Sequence, residues 1–109
     1  MTIDFNSIDE SVLPAFKGGE KALRARMFKD PLNTVLRGIL EPGASIGMHT
    51  HDTGCEFILV LRGRGSVICD GQKAPLREGE LHYCPKGHSH SLLNDSDSDL
   101  EFLGIVPQQ

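Results

Sequence analysis

The chain has 109 residues and a formal charge of −4, with 39% hydrophobic and 24% charged side chains, a composition suited to one globular domain and not to a disordered chain. The acidic balance argues against a nucleic-acid surface, which needs clustered cations, and no apolar run approaches the roughly 18 residues of a membrane span. The stretch Met1-Thr2-Ile3-Asp4-Phe5-Asn6 lacks the basic and apolar blocks of a signal peptide, so a soluble cytoplasmic protein is expected.

Residues 1–18 read as an extended arm with at most a short turn. Between Glu20 and Asp30 lie good helix formers (Lys21, Ala22, Leu23, Arg24, Ala25, Arg26, Met27), yet glycines precede them and Asp30-Pro31 closes the run. Propensity favours a helix there, whereas the strand-rich context favours an extended edge, which is the reading adopted. From residue 41 onward turn signals recur at short intervals: Glu41-Pro42-Gly43, Arg62-Gly63-Arg64-Gly65, Asp70-Gly71, Glu78-Gly79, Pro85-Lys86-Gly87 and Asn94-Asp95. Short β-branched, aromatic and aliphatic segments separate them, the pattern of an all-β sandwich or barrel. Asp70-Gly71 tolerates positive φ at both residues and should join Ser66–Cys69 to Gln72–Leu76 as a tight hairpin.

Two segments, Phe57–Leu61 and Leu100–Val106, are almost continuously apolar and are expected to be covered on both faces, with Phe57, Leu59, Leu61, Leu100 and Phe102 supplying core. In a chain this small the second cover could be another subunit, which points to a homodimer. Cys55, Cys69 and Cys84 form no C-x-x-C pair and read as reduced, mostly buried thiols.

Strand parity singles out a group of residues with chemistry. His49 and His51 lie one residue apart, so an extended strand projects both imidazoles from one face. On the next strand Glu56, Ile58 and Val60 share a face, and a carboxylate leading an apolar face is costly to bury unless it is hydrogen-bonded or coordinates a cation. His90 opens a later strand, with Leu92 and Asn94 on its face. Three neutral imidazoles and a carboxylate suit a borderline divalent metal and leave two positions of an octahedron open.

The spacing of these residues resembles that of the cupin family. Gly43, His49, His51, Glu56 and Gly63 fit its first motif, G-x5-H-x-H-x3,4-E-x6-G; Gly79, Pro85, Gly87, His90 and Asn94 fit its second, G-x5-P-x-G-x2-H-x3-N. The motifs cover residues 43–94, and the pattern of short strands extends the likeness to about 34–106. The resemblance implies a double-stranded β-helix, or jelly-roll barrel, of two antiparallel sheets. It implies a barrel over residues 34–109, with residues 1–33 as an arm or edge strand packed on that barrel or on a partner subunit. It also implies one divalent transition metal (zinc, iron, manganese or nickel) held by His49, His51, Glu56 and His90. Thiol dioxygenases of the same superfamily lack the motif glutamate, so Glu56 counts against that branch.

Other residues carry weaker signals. His88 shares parity with His90 but is expected in the Lys86-Gly87 turn facing solvent, and His82 can face either way. Tyr83 is expected in the core with its hydroxyl at the edge. Arg24, Arg26 and Arg37 are candidates for holding a substrate carboxylate, although solvated surface charges are the commoner outcome. Asp95-Ser96-Asp97-Ser98-Asp99 lacks the glycine and distal glutamate of a calcium loop and reads as a solvated turn. Asn94 is expected to fix a strand end by side-chain hydrogen bonds. The functional expectation is a metal-dependent oxidoreductase, lyase or isomerase acting on a small oxygenated or carboxylate metabolite, with Glu56 as the candidate catalytic base. The alternative is a non-catalytic small-molecule-binding or sensor cupin.

Overall fold

Short runs that alternate inward apolar and outward polar residues, each closed by a turn, organise the chain into ten strands. The computed structural model describes residues 1–109. In chain order the strands are β1 (Ser11–Pro14), β2 (Ala22–Lys29), β3 (Asn33–Leu40), β4 (Ser45–Thr50), β5 (Glu56–Arg62), β6 (Arg64–Cys69), β7 (Gln72–Arg77), β8 (Leu81–Cys84), β9 (Ser89–Leu93) and β10 (Leu100–Pro107). Single 3-10 turns at Phe5–Ser7 and Phe16–Gly18 punctuate the N-terminal part.

All pairings are antiparallel and make two sheets, one of six strands in the order β1-β2-β3-β10-β5-β8 and one of four in the order β4-β9-β6-β7. This is the expected jelly-roll barrel. Its core lies between the sheets: Leu23, Leu36, Leu40, Ile58, Val60, Leu100 and Phe102 from the larger sheet face Ile46, Val67, Leu76 and Leu92 from the smaller.

The residues 22–29 form strand β2 despite their helix propensity, because β3 pairs with them along their whole length and buries Leu23 and Ala25. Only their second half is an edge: β1 pairs with Ala22–Ala25 on the far side of β2 and takes the edge position there, while Arg26–Lys29 have no strand on that side. The Asp70-Gly71 turn is as expected, with φ of 52° and 79° at its two residues joining β6 to β7.

Four residues expected in the core, Phe57, Leu59, Leu61 and Tyr83, lie outside it. Phe57 and Leu59 lie on the outer face of the large sheet and are only half-buried, and Leu61 is exposed, so that β5 contributes Ile58 and Val60 to the core instead. Tyr83 is 49% exposed, stacked on Phe57 with ring centroids 4.9 Å apart. On β10, Leu103 and Ile105 face the same outer side as Phe57 and Leu59, their strand partners.

Two local devices set the ends of the β4–β9 pair. Register between β4 and β9 slips between Ile46 and His49: Ile46 pairs with Leu92 and His49 with His90, three steps on β4 against two on β9. The extra residue at Gly47-Met48 is a bulge, which keeps both Ile46 and His49 facing inward and leaves Met48 outside. At the other end of β9, Asn94 is buried and ties three backbone segments together. Its Nδ2 donates to the carbonyls of Leu40 (2.7 Å) and Ser98 (2.8 Å), and its Oδ1 accepts from the Ser96 backbone N–H (3.0 Å).

Replacing Asn94 by Ala leaves these buried groups without their partner. We expect Asn94→Ala to lower unfolding stability by about 1–3 kcal/mol in a urea titration followed by circular dichroism, with native strand content unchanged.

Candidate metal centre

Strand pairing brings four side chains from both sheets to one point. His49 and His51 leave β4 and the residue after it, His90 sits opposite His49 on β9, and Glu56 opens β5 on the facing sheet. His90 Nε2 lies 2.9 Å from Glu56 Oε1, 2.9 Å from His51 Nε2 and 3.2 Å from His49 Nε2. Glu56 Oε1 is also 3.0 Å from His51 Nε2 and 3.7 Å from His49 Nε2. The four candidate ligand atoms fall within 4.8 Å of one another.

These spacings suit a cation at the centre. Donors in adjacent positions of a six-coordinate ion with bonds of about 2.1 Å lie about 3.0 Å apart, which matches the shorter separations. Three imidazole Nε2 atoms crowded around one carboxylate oxygen also present more lone pairs than shared protons can satisfy. Two rings are held with Nε2 aimed inward. His49 Nδ1 donates to the Gly47 carbonyl at 2.7 Å, across the bulge, and His90 Nδ1 lies 3.0 Å from His82 Nε2.

Glu56 is 6% exposed. Burial pushes its carboxyl pKa upward, but the close contacts of His51 and His90, with His49 beside them, outweigh that and hold it well below the usual carboxylate range. The group is therefore a carboxylate on an inner face otherwise made of Ile58 and Val60, as its lead position on β5 suggested.

The sequence left His82 undecided; the structure turns it inward. It pairs with Ile58 across β5 and β8, and its ring meets that of His90 edge to edge, with centroids 5.2 Å apart and 25° between the ring planes. Burial, reinforced by the neighbouring His90, pushes its pKa below the ordinary imidazole value. Parity with Tyr83 would have placed it correctly only with Tyr83 known to face outward, and the sequence pointed Tyr83 into the core.

A cavity of about 350 Å³ opens onto His49, His51 and Glu56. Phe16, Met27, Leu36 and Val106 give it an apolar wall, and Lys17 and Lys29 also line it. The turn carrying Phe16 and Lys17 sits directly on β4, where a Cβ at Gly47 would come within 2.0 Å of the Lys17 carbonyl and one at Gly19 within 2.0 Å of the Ser45 carbonyl. Only glycine at both positions allows that approach.

The remaining candidates lie elsewhere. His88 is exposed and pairs with Asp70 at 2.6 Å. Arg24, Arg26 and Arg37 stand on the outer face of the large sheet and line a separate cavity. Arg24 pairs with Glu10 (2.9 Å), Arg26 donates to the Ile8 carbonyl and Arg37 pairs with Glu101, so none reaches the four converging side chains. Asp95 ends in a turn stabilised by Ser66 and Lys73. All three cysteines are free thiols. Cys84 lies opposite Glu56 and Cys69 opposite His90.

The two sheets and the inward histidine–carboxylate group define a cupin-type barrel. Comparison with known proteins agrees: the family profile described as Cupin domain matches residues 36–106, and the chain belongs to that family. An oxalate-binding protein of Thermotoga maritima is 36% identical over 67 residues, covering 62% of this chain and 55% of its own, so the chain spans about half the length of that curated relative. A Thermotoga maritima crystal structure described as a predicted oxalate decarboxylase superposes with a TM-score of 0.93 at 25% identity, each chain fully covered. A cupin-superfamily sugar phosphate isomerase from Silicibacter pomeroyi (TM-score 0.79, 24% identity, 100% of this chain and 76% of that one) shares the fold.

Burial pushes the Cys84 thiol up to about 12, and raises that of Cys69. A disulfide exchange reagent at pH 8 should therefore leave Cys84 and the buried Cys55 untouched in the native protein and react slowly at Cys69, with all three thiols titrating after unfolding in guanidinium.

Proposed function

We propose that this chain is a metal-dependent small cupin acting on a small carboxylate or otherwise oxygenated metabolite, as an oxidoreductase, lyase or isomerase. The convergence of His49, His51, Glu56 and His90 within 4.8 Å at the wall of an accessible cavity is the observation that carries this reading. A divalent transition ion bound there supplies Lewis acidity and can activate water or dioxygen beside a substrate. Held by three neutral imidazoles and one carboxylate, such an ion would keep about one unit of positive charge, which would favour an anionic ligand. Lys17 and Lys29 on the cavity wall add to that preference, while Phe16, Met27, Leu36 and Val106 limit the space for water around the ligand. Glu56 is the group we assign to proton transfer, accepting at Oε1 when its carboxylate is free of coordination.

The names of the Thermotoga maritima relatives, an oxalate-binding protein and a predicted oxalate decarboxylase, support a small dicarboxylate as the ligand class. The first of those names also favours a second reading, a barrel that captures its ligand without turning it over.

Protein purified without an affinity tag should contain about one equivalent of a divalent transition metal by elemental analysis, and His90→Ala should lose it while keeping its strand content. Calorimetric titration with oxalate should give binding to the metal-loaded protein, weaker binding to Lys17→Met, and none to His90→Ala. Gas release or oxygen uptake during that incubation marks an enzyme; bound, unaltered oxalate marks the capture reading. Absence of every transition metal from the native protein overturns the proposal.

We further propose a homodimer seated on the outer face of the large sheet. Phe57, Leu59 and Leu61 of β5, Leu103 and Ile105 of β10 and the 59% exposed Leu81 and 49% exposed Tyr83 of β8 make one apolar surface there. Light scattering should give twice the chain mass at micromolar concentration, and Leu81→Glu/Tyr83→Glu should give the monomer.

A further inference from the structure

We infer that His82 is the positioning residue of the metal centre, fixing the orientation and tautomer of His90 from the opposite sheet. The inference rests on the metal-binding reading above. His90 is 1% exposed and lies between two sets of polar partners. On one side its Nε2 meets Glu56 at 2.9 Å, His51 at 2.9 Å and His49 at 3.2 Å. On the other its Nδ1 meets His82 Nε2 at 3.0 Å.

A neutral imidazole has one N–H and one lone pair. If Nε2 of His90 is to present its lone pair to a metal, its proton must reside on Nδ1, and His82 Nε2 is the acceptor in reach. His82 must then be neutral itself, with its own proton on Nδ1. The rings meet edge to edge and nearly coplanar, with 25° between their planes and centroids 5.2 Å apart, so the hydrogen bond lies close to the plane of both rings and holds the His90 ring against rotation. Backbone pairing alone would not do this, because χ2 of a histidine is a soft torsion.

His49 and His90 are thus secured differently. His49 is oriented by the Gly47 carbonyl of its own strand, an anchor that no side-chain substitution removes. His90 is oriented by a side chain on β8, in the other sheet, so a β9 ligand is tied directly to the sheet that carries Glu56. An imidazole in that place is uncharged, unlike the carboxylate that often orients a metal-bound histidine, so it directs the proton of His90 without adding negative charge to the site.

The test uses cobalt(II), whose visible absorption reports its coordination geometry, in the full-length protein. Affinity is read by competition with a chelating dye for wild type, His82→Leu, His82→Gln, His82→Asn and His90→Ala. Glutamine places an amide oxygen where His82 Nε2 lies; asparagine is too short to do so. We expect His82→Leu and His82→Asn to bind cobalt about 10–100-fold more weakly with an altered spectrum, and His82→Gln to recover to within a few-fold of wild type. Metal-free melting temperatures of His82→Gln and His82→Asn should be alike, so that a difference between them in cobalt affinity reports the acceptor and not folding. In zinc-loaded wild type, 1H–15N NMR should show a slowly exchanging proton on His90 Nδ1, lost in His82→Asn. Wild-type affinity and an unchanged spectrum in His82→Asn overturn the role of His82 while leaving the metal site standing, provided His90→Ala is impaired. Equal cobalt binding by wild type and His90→Ala overturns both.

Discussion

A carboxylate on the inner face of a β-barrel is the constraint around which this molecule is arranged. Glu56 occupies the first inward position of β5, ahead of Ile58 and Val60, where an unpaired charge would cost several kcal/mol. Its compensation comes almost wholly from the other sheet, through imidazoles on β4 and β9 and on the residue that follows β4. The two sheets therefore have to meet at a set distance and register at this end of the barrel. The bulge at Gly47-Met48 supplies the extra residue that turns His49 inward, and the Pro85–Gly87 turn, whose Gly87 N–H donates to the His51 carbonyl at 2.6 Å, returns the chain so that His90 can stand opposite His49.

Much of this was legible because it depends on parity and local turn chemistry. Two histidines one residue apart share a face of any extended strand, and Glu56 must share a face with Ile58 and Val60; neither inference needs knowledge of distant partners. Asp70-Gly71 specifies its own hairpin, and Asn94 holds a strand end as its side chain suggests. The illegible parts are those decided by residues far away in the chain. Ala22–Lys29 contains helix formers, and only its pairing to β3 makes it a strand; that β1 then covers its other side lies beyond any local signal. Phe57, Leu59 and Tyr83 are hydrophobic enough for a core, yet the inner face was already allotted to Glu56, Ile58 and Val60, so the pleat forced them outward.

The bulge shows why composition alone misplaces side chains. Without it, the inward setting of Ile46 would put Met48 inside and His49 outside. One inserted step reconciles an apolar residue and a metal-type ligand three positions apart on the same face. Gly47 serves three purposes at that step. It accommodates the extra residue, its carbonyl orients His49, and its missing side chain admits the backbone of the Phe16–Gly18 turn. The N-terminal arm is thereby fastened to the strand that carries His49 and leads directly into His51.

This fastening separates two jobs along the chain. His49, His51, Glu56 and His90 all fall within residues 36–106, the part matched by the family profile. Phe16, Lys17, Met27, Lys29 and Thr34, which make much of the cavity wall, fall before it. The part that resembles the family supplies the convergent donor set, and the preceding segment supplies the shape and charge that a ligand would meet. A shared barrel and donor set then leave the reaction open, because discrimination between one small anion and another depends on what stands opposite the donors. In this chain residues before the matched part make much of what stands there: Phe16 and Lys17 on a turn whose position is set by two glycines, and Met27, Lys29 and Thr34 on β2 and β3.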